Sequence, residues 1–279
     1  MLSRRVLHTS LGTVAVAGVV FGTTLTPLAS AESSSHSTKP GPKPTVVLVH
    51  GAFADASSWN GVVQRLQADG YPVKAPAVPL RDLPGDAAYI SSVLANTEGP
   101  IILVGHSYGG AVVTNAAASD PDVKALVYVA AYVPDAGESP AELSERKVDH
   151  PIDPLPVQPT PYPAADGSIG VDLYLDPAKY RSAFLSNTVS RDTAAVLAAT
   201  QRPITAAAVN GRTTHPAWKK LPSWYLVARQ DNTIAADLER FMAKRAGSTT
   251  EEVNASHHVM LNAPVTVTRL IEKADKMTR

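Results

Sequence analysis

The sequence has no cysteine among its 279 residues. This absence excludes disulfide bonds, a cysteine nucleophile and thiolate metal ligands. The eight histidines do not suggest a metal site either, because none shows the HExxH spacing and no compact cluster of histidines with carboxylates is evident. We therefore expect neither a metal nor another cofactor.

The chain also lacks an excess of charge of either sign. Lysine and arginine (25 residues) balance aspartate and glutamate (25 residues), and no block of basic residues occurs. Nucleic acids and acidic membranes attract such basic blocks, so we expect neither as a partner. A small molecule with little charge fits better as the ligand. The apolar fraction of 44% is enough for the core of one α/β domain, while the oligomeric state stays open.

The first 31 residues have the pattern of a targeting segment. Arg4 and Arg5 precede an apolar stretch over residues 14–28, and the small residues Ala29-Ser30-Ala31 follow it. A positive start, an apolar middle and a small-residue site predict a secretory signal peptide, cleaved after Ala31. An uncleaved membrane anchor is the alternative, although the stretch is short for a membrane span.

The segment Ser3-Arg4-Arg5-Val6-Leu7 is similar to a twin-arginine export signal, which favours that route over the general one. The sequence thus predicts a secreted, extracellular protein with no stable membrane association after cleavage. Residues 32–44 are rich in serine, lysine and proline and predict a flexible linker before the folded part.

Strand and helix patterns alternate over residues 45–279. Short apolar runs rich in β-branched residues suit strands that are covered on both faces of a parallel sheet. The predicted strands cover residues 45–49, 71–75, 101–104, 123–133, 223–228 and 249–253. Their alternation with helices predicts an α/β fold with a mostly parallel, doubly wound sheet. Its ligand is expected beyond the carboxyl ends of the strands.

Residues from about 134 to 220 interrupt this alternation. The segment is rich in proline as far as Pro163 and then shows helical spacing between Tyr180 and Leu197. It predicts a helical lid inserted above the edge of the sheet. Large apolar side chains in it, Tyr174 and Phe184 among them, either line a substrate pocket or form a small core of the lid itself.

The strongest chemical signal is the run Gly105-His106-Ser107-Tyr108-Gly109-Gly110, which lies between a predicted buried strand and a helical pattern. A serine on such a sharp strand-to-helix turn has a strained backbone, and glycines flank it because neighbouring backbone is close. The turn lifts the hydroxyl out of the sheet, and the helix N-terminus favours negative charge beside it. Ser107 is predicted to be a catalytic nucleophile, with a plain glycine-rich turn as the alternative.

A serine hydroxyl needs a base, and in this kind of fold an acid and then a histidine follow the nucleophile in the chain. His257 and His258 lie in the loop between the last predicted strand and the last helix, so one of them is predicted to be the base. Asp231 closely follows the strand over residues 223–228 and is the predicted acid, with Asp135 as the alternative. The acid would hold the imidazole tautomer and stabilise the imidazolium.

An oxyanion formed by attack of Ser107 needs two hydrogen-bond donors. The backbone N–H of Tyr108 directly follows the nucleophile, and the backbone N–H of Ala52 lies in the loop after the first strand. Both are predicted to form an oxyanion hole. His50 and His106 flank the site and are expected to be structural rather than catalytic.

Four motifs together resemble one family of enzymes. They are Val49-His50-Gly51-Ala52, Gly105-His106-Ser107-Tyr108-Gly109-Gly110, Val227-Ala228-Arg229-Gln230-Asp231 and Ala255-Ser256-His257-His258-Val259-Met260-Leu261. The chain resembles bacterial α/β-hydrolases related to plant methyl-ester esterases and hydroxynitrile lyases, from residue 45 onward. The resemblance implies an α/β-hydrolase fold, a serine hydrolase that acts on small esters, and a Ser-His-Asp triad.

The same resemblance separates the two candidate bases. The family pattern Ala-Asp-His, a variable residue and Met-Leu implies His257 as base, with Ser256 where aspartate is usual and His258 at the variable position. It also supports Asp231 and Ala52. His258, a departure from the family, is expected to be solvated, or else to donate a proton to a bound substrate. The candidate substrate-binding residues are Phe53, Tyr174, Phe184 and His258.

The resemblance also bears on the reaction. The plant lyases have threonine where this chain has Gly51 and lysine where it has His258, so the likeness favours ester hydrolysis through an acyl-enzyme. Activity is then expected to fall in acid as the histidine base becomes protonated. Two alternatives are a lyase that cleaves a carbon–carbon bond and a ligand-binding homologue without turnover.

Overall fold

The computed structural model describes residues 42–279, together with the isolated positions Ala15 and Gly18. The predicted signal peptide and nearly all of the predicted linker lie outside the described residues. Within the described part, no helix combines the length and the apolarity that crossing a membrane requires.

Six parallel strands form the central sheet. In chain order they are β1 (Thr45–Val49), β2 (Val73–Lys74), β3 (Ile101–Ser107), β4 (Val123–Ala131), β8 (Ser223–Ala228) and β9 (Thr249–Val253). Their order across the sheet is β2-β1-β3-β4-β8-β9, and every neighbouring pair is parallel. The prediction of an α/β fold with a mostly parallel sheet is confirmed.

Helices cover both faces of this sheet. In chain order the helices of the described residues are α1 (Asn60–Ala68), α2 (Leu83–Ala95), α3 (Tyr108–Ala116), α4 (Pro140–Ser144), α5 (Pro177–Ala183), α6 (Arg191–Ala199), α7 (Ala206–Asn210), α8 (Ala236–Arg245), α9 (Val259–Asn262) and α10 (Pro264–Thr278). Helices α2, α3 and α8 pack on one face, whereas α1 and α10 pack on the other.

The continuous apolar runs of the strands follow from this double cover. Side chains alternate between the two faces of a strand, so Val47 and Leu103 join one core while Val46 and Ile102 join the other. All seven residues of β3 are buried. A strand without a solvent face needs apolar residues at every position, which is the pattern that predicted a parallel sheet.

The insertion, residues 134–220, is more varied than the predicted helical lid. It contains helices α4 to α7 and also an antiparallel sheet of β5 (Val157–Pro163), β6 (Ile169–Leu175) and β7 (Ile204–Thr205). The proline-rich sequence concealed β5. Its prolines 159, 161 and 163 alternate on an edge strand, so their missing N–H groups can all point away from β6. Opening of the insertion as a lid stays a prediction.

Four predicted boundaries move by a few residues. Strand β3 continues three residues beyond its predicted end. Strand β2 is limited to Val73–Lys74, because the N–H of Tyr71 instead donates to Leu66 at the end of α1. Strand β4 ends at Ala131, two residues before its predicted end. Ile234, predicted on the apolar face of a helix, precedes α8 and is buried in the turn before it.

Candidate active site

Ser107 lies at the junction of β3 and α3, with backbone angles φ of 52° and ψ of −127°. A positive φ is strained for a residue with a side chain, and such strain is retained at functional turns. The flanking glycines make the turn possible. A Cβ at Gly105 would lie 2.7 Å from the carbonyl oxygen of Gly109, and one at Gly109 would lie 2.6 Å from that of Val49.

The loop after β1 packs directly against the serine. A Cβ at Gly51 would lie 2.6 Å from Cβ of Ser107 and 3.2 Å from its Oγ, so any side chain at this position would press on the nucleophile. Ala52 follows in this loop, and its N–H donates no backbone hydrogen bond within the described part of the chain. The N–H of Tyr108 opens α3 and has no acceptor within the helix. The two predicted oxyanion donors thus flank Ser107.

An acid and a base meet beside this turn. Nδ1 of His257 and Oδ2 of Asp231 are 2.6 Å apart, and both side chains are fully buried. Oδ1 of Asp231 accepts from the backbone N–H groups of Thr233 at 2.6 Å and Ile234 at 2.8 Å. The contact with Asp231 fixes the orientation of the His257 ring. The other ring nitrogen, Nε2, is buried and has no hydrogen-bond partner among residues 42–279.

Ser107 and the pair of His257 and Asp231 are linked through His106. The ring of His106 lies 4.7 Å from that of His257, and its Nε2–H donates to the carbonyl oxygen of His257 at 2.9 Å. Asp135, the alternative acid, takes no part in this arrangement. It follows β4 and forms an ion pair with Lys219, with 31% of its side chain exposed.

The neighbouring histidines are held neutral. Burial lowers the pKa of His50 to about 4 and that of His106 well below its ordinary value. Nε2 of His50 accepts from the N–H of Val78, and Nδ1–H donates to the carbonyl oxygen of Gly51. His50 therefore ties the loop after β1 to the body of the domain. The structural roles expected for both residues agree with these contacts.

The expectation that His258 is solvated is wrong. Only 1% of the residue is exposed, because its ring is stacked 5.8 Å from His106 and lies 5.3 Å from the ring of Phe184. Burial, together with the neighbouring His257, lowers the pKa of His258 to about 3, so its imidazole is neutral. Neither ring nitrogen has a partner among the described residues.

Aromatic side chains of the insertion cover the histidines. The ring of Phe184 lies 5.1 Å from His257 and 6.1 Å from Phe53, and the hydroxyl of Tyr180 donates to the carbonyl oxygen of Phe53 at 2.9 Å. A small cavity of about 80 Å³ adjoins them, lined in part by Phe53, Tyr180 and His258. Ser107 itself is only 5% exposed, so the site is nearly closed.

Tyr174 is not brought to this cluster. It lies on β6 opposite Gln158, and it is half-buried. Its neighbours Leu173 and Leu175 pack against the core. Since side chains alternate across a strand, Tyr174 faces the opposite way. The predicted role in substrate binding has no support from this position.

Two buried acids beside the site escaped the sequence analysis. Asp86 of α2 accepts from the hydroxyl of Tyr108 at 2.8 Å and so anchors the residue after the nucleophile, and its burial raises its pKa. Glu239 of α8 is fully buried between Leu238 and Met242. The sequence signal that could have revealed them is a carboxylate among the apolar residues on the inward face of an amphipathic helix.

Comparison with known proteins gives a consistent result. The family model described as "Alpha/beta hydrolase family" matches residues 46–270. A pyrethroid hydrolase of Sphingobium wenxiniae is 35% identical over 108 residues, which is 34% of this chain and only 38% of that enzyme's length. Methylesterase 2 of Arabidopsis thaliana is 27% identical over 218 residues, covering 70% of this chain and 81% of the plant protein.

A solved structure shares the fold. The crystal structure of polyneuridine aldehyde esterase superposes with a TM-score of 0.69 at 18% identity. The superposition covers 83% of this chain and 98% of the other.

Proposed function

The chain belongs to the alpha/beta hydrolase family, as its motifs indicated, and we propose that it is a carboxylic ester hydrolase with a serine nucleophile. The observation that carries the proposal is the buried pair of His257 and Asp231 beside the strained turn at Ser107. The relatives point the same way, since a pyrethroid hydrolase and a methylesterase are both named for hydrolysis. The substrate is a small ester.

The reaction starts with attack of the Ser107 hydroxyl on the ester carbonyl. Nε2 of His257 takes the hydroxyl proton, and Asp231 stabilises the imidazolium that forms. The negative oxygen of the tetrahedral intermediate accepts hydrogen bonds from the N–H groups of Ala52 and Tyr108. His257 then protonates the leaving alcohol, and an acyl-enzyme remains. Water attacks this acyl group by the same path and restores Ser107.

The electrostatics around the base favour this role. His50, His106 and His258 have lowered pKa values and are neutral near pH 7. They therefore add no positive charge that would oppose protonation of His257 during the reaction. The short pair with Asp231 supplies the one negative charge that an imidazolium needs.

Phe53, Phe184 and His258 are proposed to contact the substrate. They surround the catalytic imidazole from the loop after β1, the insertion and the loop before α9. A cavity of about 80 Å³ lies beside Phe53 and His258 and has room for a compact group of the ester, while Ser107 and His257 do not line it. The insertion would have to move to admit a larger ester, because Ser107 is only 5% exposed.

Ester hydrolysis is favoured over lyase chemistry. The plant lyases have threonine at the position of Gly51, whereas a Cβ there would lie 2.6 Å from Cβ of Ser107. We also propose that the enzyme works outside the cell, on the strength of the targeting pattern in residues 1–31 alone.

The test is the hydrolysis of short p-nitrophenyl esters by purified protein. We expect a burst of p-nitrophenol equal to the enzyme concentration, and its loss in Ser107→Ala. Ser92→Ala is the control, because Ser92 is an exposed serine on α2 whose hydroxyl donates to the carbonyl oxygen of Tyr89 in the same helix. Full turnover by Ser107→Ala would disprove the nucleophile. Faster cyanide release from mandelonitrile than ester hydrolysis would favour a lyase.

A further inference from the structure

Glu239 is a fully buried carboxyl group for which the proposed reaction has no role. It lies on the inward face of α8, next to Leu238 and one turn from Met242. An unpaired carboxylate at such a position is strongly disfavoured by the loss of hydration. The group must therefore be paired with a cation or be protonated.

No cation is in place to pair with Glu239 among the described residues. The adjacent Arg240 instead binds Asp237 and Glu252 at the surface. The other titratable groups that face Glu239 are Asp231, Tyr225 and Tyr132. The hydroxyl of Tyr225 donates to Ala131 at 2.6 Å, and that of Tyr132 pairs with Ser144 at 2.7 Å, so neither donates to Glu239.

The two oxygens of Glu239 have different surroundings. Oε2 accepts from the N–H of Ala228, the last residue of β8, at 3.1 Å. Oε1 is buried and receives no donor within the described part of the chain. Besides burial, the negative charge of Asp231 and a side-chain hydrogen bond with it both raise the pKa of Glu239. Two carboxyl groups can share a hydrogen bond only if one of them keeps its proton.

The proton belongs on Glu239 rather than on Asp231. Asp231 already accepts from His257, Thr233 and Ile234, and these donors stabilise its charged form. Glu239 has one donor and complete burial. Burial, and next to it the negative charge of Asp231, raise the pKa of Glu239 well above its ordinary value.

We propose that Glu239 is a protonated carboxylic acid that donates a hydrogen bond to the carboxylate of Asp231 and thereby positions it for His257. Through its other oxygen Glu239 holds the end of β8, so one side chain fixes both ends of the segment from Ala228 to Asp231. Glu239 is a positioning residue and keeps its proton throughout the reaction. Its effect on turnover rests on the proposed function, whereas its protonation does not.

Two substitutions separate the parts of this role. Glu239→Gln keeps an oxygen for the N–H of Ala228 and supplies an N–H for Asp231 without charge. We expect kcat within about 3-fold of the wild type and an unchanged acid limb of the pH–rate profile. Glu239→Met removes both hydrogen bonds. We expect kcat to fall about 10- to 100-fold with KM nearly constant, because a hydrogen bond to a charged group is lost at the reacting centre only.

Infrared difference spectroscopy reads the proton directly and needs no substrate. At neutral pH the wild type minus Glu239→Gln spectrum should contain the carbonyl stretch of a protonated carboxylic acid. Glu251→Gln is the matched control. Glu251 lies on β9, away from the site, and is ion-paired with Lys273 of α10. We expect no such band in its difference spectrum and an unchanged acid limb.

The outcomes are distinct. An ionised Glu239 would give no carboxylic acid band, and Glu239→Gln would then shift the acid limb downward by about one pH unit, because a negative charge beside the imidazolium is lost. Either result would overturn the proposal. If Glu239→Met does not fold, the infrared band and Glu239→Gln still decide it. Absence of ester hydrolysis in the wild type, with the band present, would refute the proposed function alone.

Discussion

The carboxyl edge of the six-stranded sheet and the insertion over residues 134–220 both contribute to the site, but they are built differently. At the sheet edge the backbone is so close-packed that a Cβ at Gly109 would lie 2.6 Å from a neighbouring carbonyl oxygen. In the insertion, six of the seven residues of β5 are exposed, and β5 pairs only with β6. The proposed nucleophile, base and acid all lie in the first region, whereas the second adds Tyr180 and Phe184.

Because of this difference in packing, we expect the two regions to have different roles in catalysis. Reacting groups must be held within a fraction of an ångström, and only densely packed elements provide that precision. The groups that admit or select a substrate tolerate more freedom, and such groups are found on segments with fewer buried contacts. Changes at the sheet edge should therefore alter the chemistry or the fold, and changes in the insertion should alter access more mildly.

The largest effect is expected for Asp231→Asn. The amide keeps the shape of the side chain but favours the wrong tautomer of His257, and kcat should fall about 10⁴-fold with KM little changed. Steady-state kinetics with a p-nitrophenyl ester measures this. Asp135→Asn, on the rejected acid, is the control and should leave kcat near the wild-type value.

A pair of glycine substitutions compares the packing of the two regions. Gly109→Ala should destabilise the protein by more than about 4 kcal/mol, because the backbone of Val49 and His50 occupies the space that a side chain needs. Gly167→Ala, in the turn between β5 and β6, meets open space and a φ of 84°, and should destabilise by about 1 kcal/mol. Urea unfolding measures both, and equal losses would contradict the proposed difference in packing.

Acid should lower the free energy of unfolding chiefly through the buried histidines at the sheet edge, rather than through the exposed histidines of the insertion. His50 and His258 stay neutral in the folded protein down to pH values of about 4 and about 3 because their pKa values are lowered, and His106 behaves likewise. Unfolded histidines bind protons below about pH 6.5. The unfolded state then holds about three more protons, so stability is present above pH 6.5 and is lost as the pH falls.

Glu239 and Asp86 oppose this trend, because burial raises their pKa values and favours their protonated forms in the folded protein. The net difference is then at most about two protons, which corresponds to at most about 3 kcal/mol per pH unit between pH 6.5 and 4.5. Unfolding free energies measured across this range check the slope. His258→Phe should reduce it, whereas His215→Asn, at an exposed residue of the insertion whose ring hydrogen-bonds to the Thr214 hydroxyl, should not. A slope unaffected by His258→Phe would contradict the burial of this imidazole.

The smallest effect is expected for Tyr180→Phe. It removes the hydrogen bond from α5 to the carbonyl oxygen of Phe53, next to the proposed oxyanion donor Ala52. A lost neutral hydrogen bond of about 1 kcal/mol should lower kcat/KM about 5-fold. Tyr174→Phe is the matched control on the outward face of β6 and should change nothing. A larger loss from Tyr174→Phe would restore the role that the sequence assigned to it.

The two regions also differ in how well the sequence predicted them. Strand β8 has the bounds that its apolar run indicated, because a strand buried on both faces leaves a continuous signal. Strand β9 also has its predicted bounds, although its residues are exposed or half-buried. Strand β5 was missed, because alternating prolines on an edge strand look like a loop. A local sequence pattern cannot show that a strand lies at the edge of a sheet, where such prolines are tolerated.

The same contrast holds among the site residues. Ser107 was indicated by its glycines, and Asp231 and the His257–His258 pair by their places after late strands. The family resemblance then favoured His257 over His258. The burial of His258 was not, since it depends on Phe184, which is 74 positions away in the chain. Glu239 was missed because a glutamate on an amphipathic helix is ordinarily solvent-exposed, and only the packing of α8 against β8 reverses this.

Reaction of the purified protein with a fluorophosphonate, followed by peptide mass spectrometry, tests the central claim most directly. The reagent needs a serine hydroxyl activated by a neighbouring base. We expect a single adduct on Ser107, formed slowly in Asp231→Asn and absent from Ser107→Ala. A folded wild-type protein that stays unlabelled, or an adduct on another serine that persists in Ser107→Ala, would contradict it.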